Sequence, residues 1–396
     1  MIKAEKNLLE FIERKIVVIM MAAIAIGGIL VRIPLFKFVS GDMSGYLIVW
    51  YDTIKAYGGI HALNIQVGNY SVLYQTLIAL MTYIPLSPVV LYKSLSVVFD
   101  YVLAVAVARF VYEETGKNIN KAVFSFAMVL LSPIVIMNSA MWGQCDSIFT
   151  SFLVLTVFYF KKEKYPLAFL MYGLAFSFKL QAVFLLPFLL FAYLRKKNFS
   201  IVNFLITPLV MFVVTIPAIV MGRSWEAAFA VYWYQTKSCN KLYFSYPSFW
   251  ALLAEHQEGK IAAVEYMKLM FVLLTVFVLA MFMFYMIRKG VEMRGDNILF
   301  VAFLFVYTCV LFLPGMHDRY GFPYEILAVP ICFKERKTIP LAIALLCLTI
   351  PVYGQEFFGG RDVGTVMGLI NTLIYLAYAV VLLKRMTDSE KAMEQI

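Results

Sequence analysis

Charge is what this chain has least of. Only 15% of its 396 residues are Asp, Glu, Lys or Arg, against about 25% in an ordinary soluble domain. With 62% apolar or aromatic residues, a soluble globular fold is excluded. The five cysteines, Cys145, Cys239, Cys309, Cys332 and Cys347, form no CxxC pair, and no His lies near them at ligand spacing. Neither a disulfide framework nor a zinc site is indicated. A P-loop, a GxGxxG after a strand, an HExxH and a defensible Ser-His-Asp order are all missing. The first long loop contains no Asp-x-Asp or Glu-x-Asp, so no divalent-cation pair is expected and no cofactor is called for.

What is present is hydrocarbon: Phe 35, Tyr 25 and Met 21, in several apolar runs of about 17 to 25 residues, long enough to cross a bilayer as helices. The expected fold is all-α, a polytopic helical membrane protein. A net charge of +10 raises the question of nucleic acid, but the basic residues sit in short clusters between apolar runs and form no continuous face. They read as topology signals instead. Clusters at Lys161-Lys162-Lys164, Arg195-Lys196-Lys197, Arg288-Lys289, Lys334-Arg336-Lys337 and Lys384-Arg385 are assigned to the cytoplasm by the positive-inside bias.

The parity of these clusters predicts about twelve spans, with eleven to thirteen as the range, near 16–33, 88–112, 121–137, 147–161, 165–177, 180–194, 201–221, 262–287, 297–313, 321–333, 338–352 and 364–384. Both termini are then cytoplasmic. The first run lacks a small-residue cleavage site and is expected to be retained as a span. Residues 71–88 are apolar enough to cross, but counting them would put Lys161-Lys162-Lys164 outside, so they read as interfacial or re-entrant. No internal repeat or long linker divides the chain, and residues 1–396 are read as one membrane domain. Two long outer connections stand out, 34–87 with interfacial helices and 222–261 with Trp225, Trp233, Tyr234, Tyr243, Tyr246 and Trp250.

Polar residues gather where the outer connections meet the spans. Asp42, in Ser40-Gly41-Asp42-Met43-Ser44-Gly45-Tyr46, is placed to act as a general base at the membrane surface or merely to cap the helix that follows. Trp142, Gln144 and Asp146 form a second patch, in which Asp146 is also readable as an N-cap. Pro314-Gly315-Met316-His317-Asp318-Arg319-Tyr320 forms a third, whose Arg and His suit a phosphate. The competing reading is an Asp318–Arg319 or Asp146–Arg319 pair that ties loops together. Lys93 and Asp100, about two turns apart in one span, share a face, and Lys179 with Gln181 tops another span. Ionisable residues in spans carry a functional presumption, although both lysines also have the option of snorkelling.

Taken in order, Ser40-Gly41-Asp42, Lys93 with Asp100, Trp142-Gly143-Gln144-Cys145-Asp146-Ser147, Phe178-Lys179-Leu180-Gln181 and Met316-His317-Asp318-Arg319-Tyr320 resemble the membrane glycosyltransferases of the C superfamily (GT-C). Within it they look most like the glucosyl- and mannosyltransferases that lengthen lipid-linked oligosaccharides. The resemblance implies a hexose donor on polyprenyl or dolichyl phosphate, and an acceptor hydroxyl on a glycan, glycolipid or cell-surface glycopolymer. It also implies an inverting reaction on the noncytoplasmic face of the cell membrane, or of the endoplasmic reticulum membrane in a eukaryote. Carried over, Asp42 is the base, and Arg319, Lys179, Lys93 and His317 bind the donor phosphate. Trp142, Gln144, Asp146, Tyr46, Tyr320 and Gln181 line the donor and acceptor. The family often has Glu where this chain has Asp318, and the position of Cys145 varies. No soluble domain is expected after the last span. The main rival reading is a transporter or flippase of a lipid-linked sugar. Against it stand the missing inverted repeat and the one-sided distribution of polar residues.

Overall fold

The computed structural model of the protein describes residues 2–237, 242–256, 261–359 and 364–394. Cys239 and parts of the 222–261 connection lie outside these residues. The chain is an all-α membrane protein. Its N-terminal half runs through α1 (Lys3–Arg32), α2 (Ile48–Ala56), α3 (Val72–Met81), α4 (Pro88–Glu114), α5 (Ile119–Leu130), α6 (Pro133–Ile136), α7 (Asp146–Lys161) and α8 (Tyr165–Phe178). The second half continues with α9 (Leu186–Lys196), α10 (Ile206–Val220), α11 (Trp225–Lys237), α12 (Ile261–Arg288), α13 (Asn297–Phe312), α14 (Phe322–Cys332), α15 (Ile339–Phe358) and α16 (Gly364–Glu394). Strand pairing among the described residues is confined to Tyr243–Phe244 running parallel to Met316–His317, with a bridge from Ser245 to His317.

Six segments are long and apolar enough to cross a membrane by themselves: Glu5–Lys37, Pro88–Glu114, Ile201–Val220, Glu265–Arg288, Arg336–Phe358 and Gly364–Glu390. A seventh is broken, Ile119–Leu130 followed by Pro133–Trp142 with a 48° bend. Proline explains the break: Pro133 lacks an N–H, and the residue before it is pushed out of the helical region, as the extended ψ of 129° at Ser132 records. The remaining expected spans correspond to shorter helices. One of them, α13, is buried along almost its whole length, so neighbouring helices rather than lipid surround it. The 71–88 segment contains the ten-residue α3, about 15 Å long at ~1.5 Å per residue and half the thickness of a bilayer core.

The end of α1 is fixed by a buried ion pair. Arg32 meets Asp100 of α4 at 2.8 Å, with both side chains essentially without exposure. The same guanidinium donates to the carbonyls of Gly28 and Leu130. Asp100 in turn accepts from Ser139 at 2.5 Å and Ser147 at 2.6 Å. One carboxylate therefore joins the first span to both ends of the strap between α6 and α7. Deleting one partner of such a pair costs about 3–5 kcal/mol, because the other charge stays buried.

Candidate active site

The turn that follows α1 settles the two readings of Asp42. The hydroxyl of Ser40 accepts the Met43 N–H at 3.1 Å and so performs the capping. Asp42 already has helical dihedrals and makes no side-chain bond to the helix end. Its carboxylate points elsewhere: Oδ2 accepts from Trp142 Nε1 at 3.0 Å and Gln144 Nε2 at 2.8 Å, with Arg319 Nη1 at 3.6 Å. Among the described residues no donor addresses Oδ1. The side chain keeps 27% exposure, in a wall of a cavity of about 450 Å³.

Trp142 and Gln144 reach Asp42 because the strap is wound as a π-turn over Met137–Trp142 and then reversed at Gly143, which has φ +74°. Glycine suits this position for its left-handed backbone; a Cβ there would meet chiefly the flexible end of Met43. The indole of Trp142 is fully buried and is held edge-on by Tyr353 and Phe357 at 5.2 and 5.0 Å. Trp142 therefore supports the cavity from behind and does not line it. Gln144 does line it, with its own Oε1 accepting from Tyr70 at 3.0 Å.

Asp146 also stands behind the wall, at 1% exposure, and is not an N-cap. Its Oδ1 takes the Lys179 ammonium, and its Oδ2 takes Asn138 at 2.8 Å and Arg319 Nε at 3.3 Å. Arg319 also lies 3.5 Å from Asp318 and 5.1 Å over the Trp142 ring. The loop-tying pairs foreseen for Arg319 are thus formed. Yet Arg319 and Lys179 still border the cavity, together with Tyr46, Gln181, His317 and Tyr320. Among the described residues the Oε1 of Gln181 is buried without a hydrogen-bond partner.

Beyond Trp142 and Asp146, which stand behind the wall and do not line it, Lys93 and His317 differ from their assigned roles. Lys93 does not reach the cavity: its ammonium donates to the carbonyls of Leu35 at 2.9 Å and Phe36 at 3.4 Å and to that of Phe38, closing off the turn after α1. Asp100, on the same face of α4, pairs with Arg32. His317 borders the cavity but is stacked on Phe244 at 4.6 Å, and burial, then Arg319 and Lys179, push its pKa down to about 4. It is neutral at pH 7 without a bound anion, so what it offers a phosphate is an N–H donor and not a charge.

The neighbouring Asp318 moves the other way, its carboxyl raised to about 7 chiefly by burial. The two produce opposite pH slopes. Between about pH 4 and 6.5 the unfolded chain protonates His317 and the folded chain does not, so His317 makes stability climb with pH. Asp318 keeps its proton longer when folded, so its contribution declines from about pH 4 to 7. Relative to wild type, His317→Phe is expected to lose part of the climb and Asp318→Asn part of the decline. Thermal unfolding in detergent across this range reads both, and superimposable profiles would contradict the assignment.

Arg32 and Tyr353 support this site without having been singled out, as do Asn138, which begins the second polar patch, and Tyr70, in the first outer connection, neither of which is given a role from sequence. Arg32 had a signal, as a charge within the first expected span that requires a partner; the others are single polar residues without pattern. Of the aromatics in the 222–261 connection, Trp233 and Tyr234 are exposed, while Tyr246 and Trp250 are packed inside. No three His, Cys, Asp or Glu side chains among the described residues are grouped as metal ligands.

Comparison with known proteins adds the chemistry. A 107-residue stretch is 28% identical to GPI mannosyltransferase 1 of Saccharomyces cerevisiae (strain ATCC 204508 / S288c), covering 27% of this chain and 26% of that protein. The chain thus matches about a quarter of that relative's length. Residues 69–314 match the model of glycosyltransferase family 87, which takes in Gln144, Asp146 and Lys179 and stops short of Arg319. With well over half of its length matched, the chain belongs to glycosyltransferase family 87.

Proposed function

We propose that the protein transfers a hexose, glucose or mannose, from a polyprenyl- or dolichyl-phosphate donor to a hydroxyl of a lipid-linked glycan or cell-surface glycopolymer. The observation that carries this reading is Asp42: a carboxylate anchored through one oxygen by Trp142 and Gln144, with the other oxygen unclaimed, at a cavity that also receives Arg319 and Lys179. A group held in this way can take a proton without losing its position.

In the proposed step, Asp42 Oδ1 removes the proton of the acceptor hydroxyl as that oxygen attacks the anomeric carbon. The bond from that carbon to the phosphate oxygen breaks, and the phosphate departs with the electron pair. Attack opposite the leaving group inverts the anomeric centre. Arg319 and Lys179 face the growing negative charge, where fixed cations act most strongly. Their own partners are Asp146, Asp318 and Asp42, and of these Asp42 is the one exposed to the cavity. Arg319 thus has one approach through which a phosphate can compete. The unpartnered Oε1 of Gln181 suits a sugar hydroxyl donor, and Tyr46 and Tyr320 offer ring faces for stacking. The reaction is proposed to need no metal.

We further propose about twelve crossings, with α7, α8, α9, α13 and α14 as short spans sheltered by their neighbours, both termini cytoplasmic and the Asp42 cavity on the opposite, noncytoplasmic face. The test is transfer of label from a panel of polyprenyl-phosphate hexoses in membranes containing the wild-type protein. One donor is expected to pass label to a new product. If no donor gives up label in the presence of an acceptor-rich extract, the transfer reading is overturned.

A further inference from the structure

A second cavity, of about 350 Å³, lies between α5, α14 and α15. It sits at the far end of the molecule from Asp42: Phe357, near the C-terminal end of α15, packs on Trp142 at 5.0 Å, whereas Ile339, at the start of α15, borders this cleft. We propose that it is a binding site for an anionic phospholipid, one acyl chain in the cleft and the phosphate at Lys121 and Arg336.

The walls are apolar and open sideways, since Phe124 and Ile343 border the cleft and are 60% and 56% exposed on a protein whose apolar surface meets lipid. Lys121 and Arg336 stand on its rim. Two other nearby cations are neutralised: Lys161 and Lys334 share Glu114 and Asp296. By contrast, Lys121 and Arg336 have no ion pair and no side-chain hydrogen bond among the described residues. Two unpaired cations at the mouth of a hydrocarbon-lined cleft complement a phosphodiester attached to a chain.

The dimensions favour a phospholipid over a long prenyl carrier. The inner end of the cleft is polar, because Ser132 Oγ and Glu325 Oε2 are buried there without hydrogen-bond partners among the described residues; hydrocarbon stops short of them. From Lys121 to Leu130, α5 rises about 14 Å at ~1.5 Å per residue, close to half of a bilayer's ~30 Å hydrocarbon core. That is the depth of one leaflet and one acyl chain. The 48° break after Leu130 turns the chain away and leaves the space.

The full-length protein, purified in mild detergent, is to be incubated with phosphatidylglycerol or phosphatidylcholine in mixed micelles, and bound lipid read by native mass spectrometry. Wild type is expected to retain phosphatidylglycerol about tenfold more tightly than phosphatidylcholine. The pair Lys121→Ala with Arg336→Ala is expected to erase that preference. Ile343→Trp, at an exposed position that tolerates bulk without disturbing the fold, is expected to reduce retention of both lipids by obstructing the cleft. The proposal is overturned if the double variant keeps its preference, or if Ile343→Trp changes nothing, which would mean attraction to surface charge alone. It is equally overturned if polyprenyl phosphate displaces phosphatidylglycerol in competition.

Discussion

Asp42→Asn is expected to lower hexose transfer by about 10³-fold, within the range a positioned general base supplies, while unfolding temperature and donor binding stay close to wild type. The asparagine amide occupies the same volume, and its carbonyl oxygen still accepts from Trp142 Nε1 and Gln144 Nε2, which lie 3.0 and 2.8 Å from Asp42 Oδ2. With that oxygen anchored, the amide nitrogen takes the place of Oδ1 and cannot accept a proton. The measurement is single-turnover transfer from a pre-bound donor, which separates chemistry from binding. Near-wild-type turnover would remove Asp42 from the mechanism and leave it as a strut between the first outer turn and the strap.

Arg319→Ala is expected to have a comparable total effect through a different route. It removes the cation that faces Asp146 at 3.3 Å, Asp42 at 3.6 Å and Asp318 at 3.5 Å, so three carboxylates are left with Lys179 as the remaining cation of the cluster. Part of the loss is structural, since an uncompensated buried charge costs about 3–5 kcal/mol. The informative comparison is with Arg319→Lys, which restores charge without the planar fork. If Arg319 addresses the donor phosphate, the lysine variant recovers stability but keeps a raised KM for the donor and an unchanged KM for the acceptor. Equal changes in both constants, or full recovery by lysine, would reduce Arg319 to an ion-pair tether.

That Asp42, Gln144, Lys179 and Arg319 meet was legible because the chain has so little polar material between its apolar runs. Residues from different connections that end on the same face of a bundle have few other partners to find. Their ranking was less legible. Trp142 and Asp146 look like lining residues in sequence, and only packing reveals that Tyr353 and Phe357 cover the indole and that Lys179 and Asn138 enclose the carboxylate. Lys93 was misread for a related reason. Its spacing from Asp100 satisfies a helix-face rule, but its true acceptors are main-chain carbonyls, and a carbonyl left over at a helix end has no letter in the sequence. The cap ambiguity at Asp42 likewise turned on which of two residues, Ser40 or Asp42, the backbone aims at Met43.

The Arg32–Asp100 pair has a consequence for how the protein is made. Arg32 leaves the ribosome well ahead of Asp100, and the two serines that complete the carboxylate's shell, Ser139 and Ser147, come later still. For that interval the first hydrophobic segment carries an arginine that has no carboxylate to meet, a state that lipid disfavours. The segment is held back from final docking until α4 arrives, and the strap bearing Trp142 and Gln144 locks only when Ser147 follows. The Asp42 cavity therefore depends on contacts of long sequence separation, and a nascent chain halted before α7 is expected to lack the contacts that close it.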